Sequence, residues 1–581
     1  MKIPIGRYYQ LLKQYLKPQW PRVVLLFALL LLTIGLRVLN PQIIRTFIDR
    51  ATGGTPISDL TFLALTFLGF SLLIQIVSVT STYIGENIGW TATNNLRADM
   101  ALHALKLDMS YHNDHTPGDM IERIDGDVVD LAIFFSQFVI KIVGNLLLLG
   151  GVLLALYLTD WRIGIALTFY AVISLYGLNK LRSIAVPYWK AARDASSDLY
   201  GFLEEQLSGT EDIRSSGAVP NSMRHLYRYA RDHLQKQRKA GTMNIRLIQM
   251  WIGLYEAGRA IAFIGGFYLF TRDAITLGMA YLIVNYTDAI FRPLREITNE
   301  IQNLQKAGGS IERIEELYAV QDKIKDTGTT PLPEGVLSVE FDAVDFSYNG
   351  DDRILDQVSF HLKPGEVLGL LGRTGSGKTT ITRLLFRLYE INSGSLRLNG
   401  IDIRDIPISS LQRHVGMVTQ DVQLFRATVR DNLTFFDRSI SDERILSVID
   451  DLELNNWFNG LPEGLDTELE SGGKGLSAGE AQLLAFARVF LKNPGLVILD
   501  EASSRLDPAT EQRIERAVDK LLQNRTGIIV AHRLKTVERA DQIMILENGV
   551  VREHGRYQEL VATDDSRFAQ LLRTGLQEVL A

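Results

Sequence analysis

Gly372-Arg373-Thr374-Gly375-Ser376-Gly377-Lys378-Thr379-Thr380 is a complete phosphate-binding loop, and its flanks decide how the second half of the chain folds. Before it runs Val367-Leu368-Gly369-Leu370-Leu371, apolar throughout, as a strand covered on both faces must be. After it, Ile381-Thr382-Arg383-Leu384-Leu385-Phe386 reads as a helix. Strand, glycine-rich turn and helix in that order are the context the motif requires. Glycines let backbone N–H groups close around phosphate oxygens, and the helix N-terminus adds a favourable dipole. Lys378 supplies a positive charge and the Thr379 hydroxyl can ligate Mg²⁺. The loop predicts an α/β P-loop domain that binds ATP with Mg²⁺ through residues Gly372 to Thr380.

At 581 residues the chain is too long for one ordinary domain. A net charge of −6 offers nothing to nucleic acid, and the absence of cysteine excludes disulfides and cysteine-ligated metal. The 46% hydrophobic composition averages two unlike halves. Six apolar stretches fill the first: Val23 to Leu39, Leu60 to Val79, Ala132 to Leu158, Ile163 to Leu178, Met250 to Phe270 and Leu277 to Phe291. Each approaches the length of about 20 residues that spans a bilayer as a helix. The fourth and sixth are short on apolar content. The basic N-terminal arm is followed by no small-residue cleavage pattern, so no cleaved signal peptide is expected.

Two polar stretches with helical periodicity, Ser81 to Leu131 and Lys180 to Arg246, are long enough to extend beyond the membrane. The second is rich in lysine and arginine, which suggests the cytoplasmic side. An even number of spans puts both ends of the chain on one side, and ATP makes that side the cytosol. The expectation is a multi-pass cell-membrane protein: residues 1–310 a helical transmembrane domain, 311–335 a linker around Pro331-Leu332-Pro333-Glu334-Gly335, and 336–581 the nucleotide-binding domain.

Leu496-Val497-Ile498-Leu499-Asp500-Glu501 reads as a buried strand ending in two carboxylates. Asp500 is suited to hold Mg²⁺ through water and Glu501 to act as general base on the attacking water. His532, after the apolar strand Thr526 to Val530, is either a γ-phosphate contact or a structural histidine. Gln420 is a Mg²⁺ or water ligand, or an ordinary polar strand end. Tyr348 is an adenine-stacking ring or a surface aromatic.

Leu476-Ser477-Ala478-Gly479-Glu480-Ala481-Gln482, ahead of the carboxylate strand, resembles the signature motif of ATP-binding cassette proteins. With it the other elements fall into that family's order: Tyr348, the loop, Gln420, Ser477 with Gly479, Asp500 with Glu501, Ser504-Arg505-Leu506-Asp507 and His532. The membrane half resembles the family's exporters. Thr116 to Ile124 and Glu204 to Ile213 look like their two intracellular loops, whose short coupling helices dock on the cassettes, and Leu277 to Leu294 looks like their sixth span. The resemblance implies an all-α six-helix transmembrane domain followed by one cassette, a half-transporter that works as a dimer, exporting a small amphiphilic drug or lipid. A regulatory or ATP-gated membrane subunit is the alternative.

The signature departs from the family's Leu-Ser-Gly-Gly-Gln at Ala478 and Glu480. A carboxylate about 5 Å from a phosphate charge costs roughly 3 kcal/mol at an effective dielectric of about 20. Walker A, Glu501 and His532 are intact, so one half-site is sound and the other poor. By resemblance this favours a heterodimer with a distinct second half-transporter over a homodimer with two weakened sites. The family's Gly-Glu-x-Gly is also replaced, by Glu470-Ser471-Gly472-Gly473. Within or near the spans stand Arg37, Glu256, Arg259 and Asp288; Glu256 and Arg259, three apart, are expected to pair with each other. Tyr255, Phe263, Tyr268, Tyr281 and Tyr286 either line a cavity or pack helices.

Overall fold

The computed structural model describes residues 13–348, 350, 352–500, 508–531 and 534–574. It divides into two compact units: Met1–Leu105 with Pro117–Val320, and Lys106–Thr116 with Gln321–Ala581.

The first unit is helical. Its long elements are α1 (Trp20–Thr52), α2 (Ile57–Lys106), a third run made of Asp127–Gln137, the π-helical turn Phe138–Val143 and α3 (Gly144–Thr159), then α4 (Trp161–Ser208), α5 (Val219–Thr271) and α6 (Leu277–Ala319). At 48 and 53 residues, α4 and α5 are each more than twice as long as a bilayer requires, so their basic ends continue into water. Among the described residues, four stretches are long and apolar enough to cross a membrane: Lys13–Thr52, Ile57–Lys106, Lys141–Thr159 and Trp161–Ser208. The fourth expected span is therefore apolar enough, while α5 and α6 fall short because Glu256, Arg259, Asp288 and Arg292 interrupt them.

Packing in this unit is anchored by polar contacts at helix crossings. The Tyr286 hydroxyl, fully buried, donates to the Val38 carbonyl at 2.7 Å and accepts from Gln42 Nε2 at 2.8 Å, so this tyrosine packs α6 on α1 and lines no cavity. Buried Asp127 takes both ends of the Arg313 guanidinium. Residue 310, the expected end of the membrane domain, lies inside α6, which runs on to Ala319 with Ile311, Ile314 and Leu317 on its buried face.

One expectation, the pairing of Glu256 with Arg259, is corrected. Arg259 lies 3.8 Å from Asp288 on α6, across the helices, and stacks over Tyr255 and Phe263; its ion-pair partner is not Glu256. The loop segment grouped with the second unit is Lys106–Thr116, about ten residues ahead of the stretch expected to dock. Asp108 caps its helix Met109–Asp114, accepting from the Ser110 N–H at 3.0 Å, and Asn113 Nδ2 donates to the Tyr389 hydroxyl at 2.8 Å. Thr116 ends that segment, while Pro117–Ile121 and the π-helical turn Glu122–Gly126 belong to the helical unit. The second expected stretch ends in the exposed short helix Thr210–Ser215.

The second unit is built on two large sheets, with a third made of two short strands, β7 (Ala427–Thr428) and β8 (Glu468–Leu469). β1 (Val339–Phe346), β2 (Leu355–Leu362), β4 (Ser393–Leu398) and β5 (Ile401–Asp402) form an antiparallel sheet in the order β2-β1-β4-β5. β3 (Val367–Leu371), β6 (Val415–Val418), β9 (Leu496–Asp500), β10 (Thr526–Val530), β11 (Gln542–Glu547) and β12 (Val550–Arg556) form the other, ordered β12-β11-β3-β10-β9-β6. Only β12 runs antiparallel there. Its central strands are buried on both faces, and alternate side chains go to different cores. Leu368, Leu370, Ile498 and Ile528 join the core shared with the antiparallel sheet and with α7 (Lys378–Leu385). Val497, Leu499 and Ile529 join the core under α8 (Ala478–Lys492) and α9 (Pro508–Leu522).

Candidate nucleotide site

The parallel register decides which residues meet. Leu370 pairs with Val530, Val530 with Asp500, and Leu499 with Val418, so β3, β10, β9 and β6 end together. Ligands of α/β sheets bind at this carboxyl edge. The phosphate loop leaves β3 here, Asp500 closes β9, and Gln420, exposed, stands two residues past β6. Glu501, His532 and Asp507 lie outside the described residues.

The loop's glycines are demanded by geometry at two positions. Gly372 has φ +153°, and a Cβ there would stand 2.2 Å from the Leu546 carbonyl oxygen and 2.6 Å from Ser376 Oγ. Gly377, at φ +105°, opens α7 where a Cβ would meet Leu355 at 2.7 Å and the Ile354 oxygen at 3.0 Å. Gly372→Ala is expected to cost about 1–3 kcal/mol of local strain and to weaken ATP binding, read as a lower melting temperature and a lower affinity for a fluorescent ATP analogue.

Within this cradle the buried Lys378 ammonium donates to the Gly372 carbonyl at 2.6 Å and the Arg373 carbonyl at 3.0 Å, tying its own loop shut. Among the described residues Ser376 Oγ, buried, has no hydrogen-bond partner, an orphan polar atom beside a cation at a helix N-terminus. A phosphate oxygen supplies what that atom lacks, so the residues fit a nucleotide phosphate. Arg373, Thr374, Gly375 and Thr379 are exposed along the loop's outer face. The Thr379 hydroxyl, the loop's Mg²⁺ candidate, is followed by the buried Thr380, whose Oγ1 bonds the Tyr348 hydroxyl at 3.0 Å. Tyr348 packs edge-on against Phe346 and Tyr389, with centroids at 4.8 and 4.9 Å. It is thereby a half-buried member of the cradle and no loose surface ring.

Ser477 and Gly479 begin α8. Ser477 is its N-cap, and the Glu480 N–H donates to Ser477 Oγ at 3.2 Å. In return Glu480 Oε2 accepts from the Ser477 N–H and the Ser477 hydroxyl, each at 2.8 Å. Ser-x-x-Glu is a capping box, legible in the sequence, yet Glu480 reads there only as a repulsive charge. Gly479 is buried, where a Cβ would fall 2.0 Å from the Thr510 methyl on α9.

Sequence reasoning misses two residues that tie the signature helix to this edge. Gln482, buried, donates to the Thr419 carbonyl beside Gln420 at 3.4 Å. Arg488 donates to the carbonyls of Asn432 and Gln423 at 2.8 and 3.0 Å and lies 4.5 Å over the Phe435 ring; burial brings its pKa down to about 10. A polar side chain inside an apolar helix face is the one signal that points to either.

The comparisons with known proteins agree with this architecture. Residues 23–294 match the model of the ABC transporter transmembrane region, and residues 355–504 that of the ABC transporter ATP-binding domain. The chain is 30% identical to a putative multidrug export ATP-binding/permease protein, YgaD, of Bacillus subtilis (strain 168), covering 96% of each. It is 29% identical to an ATP-dependent lipid A-core flippase of Thiobacillus denitrificans, over 98% of this chain and 99% of that one. Its fold matches the structure of a bacterial Atm1-family ABC exporter with ATP bound at a TM-score of 0.78 and 25% identity, over 96% and 98% of the two chains. The protein belongs to the ABC transporter family, as an exporter with a helical transmembrane domain followed by its ATP-binding domain. It is a multi-pass membrane protein whose cytosolic ATPase drives transport.

Proposed function

We propose that this chain is one half of a heterodimeric exporter that moves an amphiphilic drug or lipid. Relatives named for multidrug export and for flipping lipid A-core support that class of cargo. The domain limits 1–310, 311–335 and 336–581 stay part of this reading, with α6 carrying the helix into the linker. At its own site, Lys378 and the loop N–H groups hold the phosphates of ATP, and Tyr348 faces the base. Thr379, Gln420 and Asp500 would hold Mg²⁺, which when bound neutralises charge on the β- and γ-phosphate oxygens. Glu501 would take the proton of the attacking water, His532 would contact the γ-phosphate, and Asp507 belongs to the nucleotide-binding set.

One observation carries the heterodimer: the Ser477–Glu480 capping box. The Ser477 hydroxyl proton points at a carboxylate, so giving it to a partner-bound γ-phosphate breaks a charge-assisted hydrogen bond of about 1.5–3 kcal/mol. A signature closed on itself is a poor donor across a dimer. The partner then brings an ordinary signature to Lys378 and Glu501, while Ser477 and Gly479 complete a site that holds ATP and turns it over slowly. Co-purification of a second six-helix subunit, with one ATP retained per dimer, is the expected result. A stable dimer of this chain alone, hydrolysing at both sites, would refute it.

A further inference from the structure

Between the membrane helices lies a cavity of about 250 Å³ where apolar Leu30, Ile34 and Leu148 meet Arg37, Lys141 and Arg292. Lys141 already has a partner, Glu300, at 3.0 Å. Arg37 and Arg292 line the same cavity, and among the described residues neither forms an ion pair. Carboxylates also line the cavity, but Glu296 lies 4.0 Å from Arg295 and Glu86 has a polar contact of its own. Two like charges in a membrane helix bundle are costly to keep unless something of opposite sign binds between them.

We propose that this cavity is an anion subsite: Arg37 and Arg292 take the phosphate or carboxylate head of the cargo, while its tail lies along Leu30, Ile34 and Leu148. The inference rests on the exporter reading above, which makes the cavity a place that cargo enters. Guanidinium groups match the planar or tetrahedral oxygens of such heads with paired hydrogen bonds, and Asn145 adds a neutral amide. The volume is below the 300–1,000 Å³ usual for a whole drug-sized ligand, so it suits a head group. A cationic amphiphile meets two like charges there and is disfavoured.

The test is competition against a fluorescent lysophosphatidic acid, using the full-length chain with any subunit that co-purifies, in phosphatidylcholine nanodiscs. Competitors are oleoyl lysophosphatidic acid, oleoyl lysophosphatidylcholine, oleyl trimethylammonium and inorganic phosphate. The phosphate monoester should bind at least about tenfold tighter than the zwitterionic and cationic lipids, and Arg37→Gln or Arg292→Gln should each weaken it by about tenfold to a hundredfold. Arg37→Lys, which keeps the charge and loses the fork, should recover part of that loss, with size-exclusion profiles certifying that each variant is folded. Equal affinity for all three head groups, or a preference untouched by either glutamine variant, overturns the subsite. Inorganic phosphate competing as well as the lipid overturns the cargo-head assignment. If no amphiphile alters ATP turnover while the arginine-dependent preference persists, the exporter reading fails and the subsite stands.

Discussion

Glu501→Gln is expected to slow ATP hydrolysis by about 10²-fold to 10⁴-fold while ATP still binds, because a positioned general base contributes that much and glutamine keeps the shape without the basicity. The groups proposed to hold phosphate are separate from the proposed base. Lys378, Ser376 and the glycine cradle sit on the loop after β3, whereas Glu501 directly follows Asp500 at the end of β9. Single-turnover hydrolysis beside equilibrium ATP binding separates the two effects. A variant that keeps most of its turnover would remove Glu501 from the chemistry and leave nucleotide occupancy as the working signal.

Lys378→Ala acts on the other term. Its ammonium now satisfies the carbonyls of Gly372 and Arg373 from a buried position, so truncation opens the loop as well as removing the charge that faces phosphate. Hydrogen bonds to charged groups contribute about 1.5–3 kcal/mol, which corresponds to roughly ten- to a hundredfold in ATP affinity. Titration with a fluorescent ATP analogue should show that loss with or without Mg²⁺. Unchanged affinity would mean that the backbone cradle alone binds the phosphates.

The second unit was legible in the sequence because its signals are local. A strand buried on both faces, glycines at positive φ and a lysine at the start of a helix occupy consecutive residues, and Val367 to Leu385 carries all of them. The gathering of Gln420, Asp500 and the loop at one sheet edge was legible only in outline, since strand order and register join residues far apart in the chain, as Leu370 with Val530 and Val418 with Leu499. The membrane half was readable as helices but not as contacts. Three-residue spacing puts Glu256 and Arg259 on one face, yet the partner of Arg259 is Asp288 on the next helix, chosen by how the helices pack.

The Arg259–Asp288 pair bears on how the protein is made. An unpaired charge within the bilayer costs about 2.5–3.5 kcal/mol during insertion, and α5 and α6 each contribute one member of this pair, Arg259 and Asp288, while neither helix reaches the hydropathy of the other spans. Joined by a turn of a few residues, they can neutralise each other only side by side. The fifth helix is therefore expected to settle in the bilayer together with the sixth, as a hairpin, only after Asp288 has been synthesised.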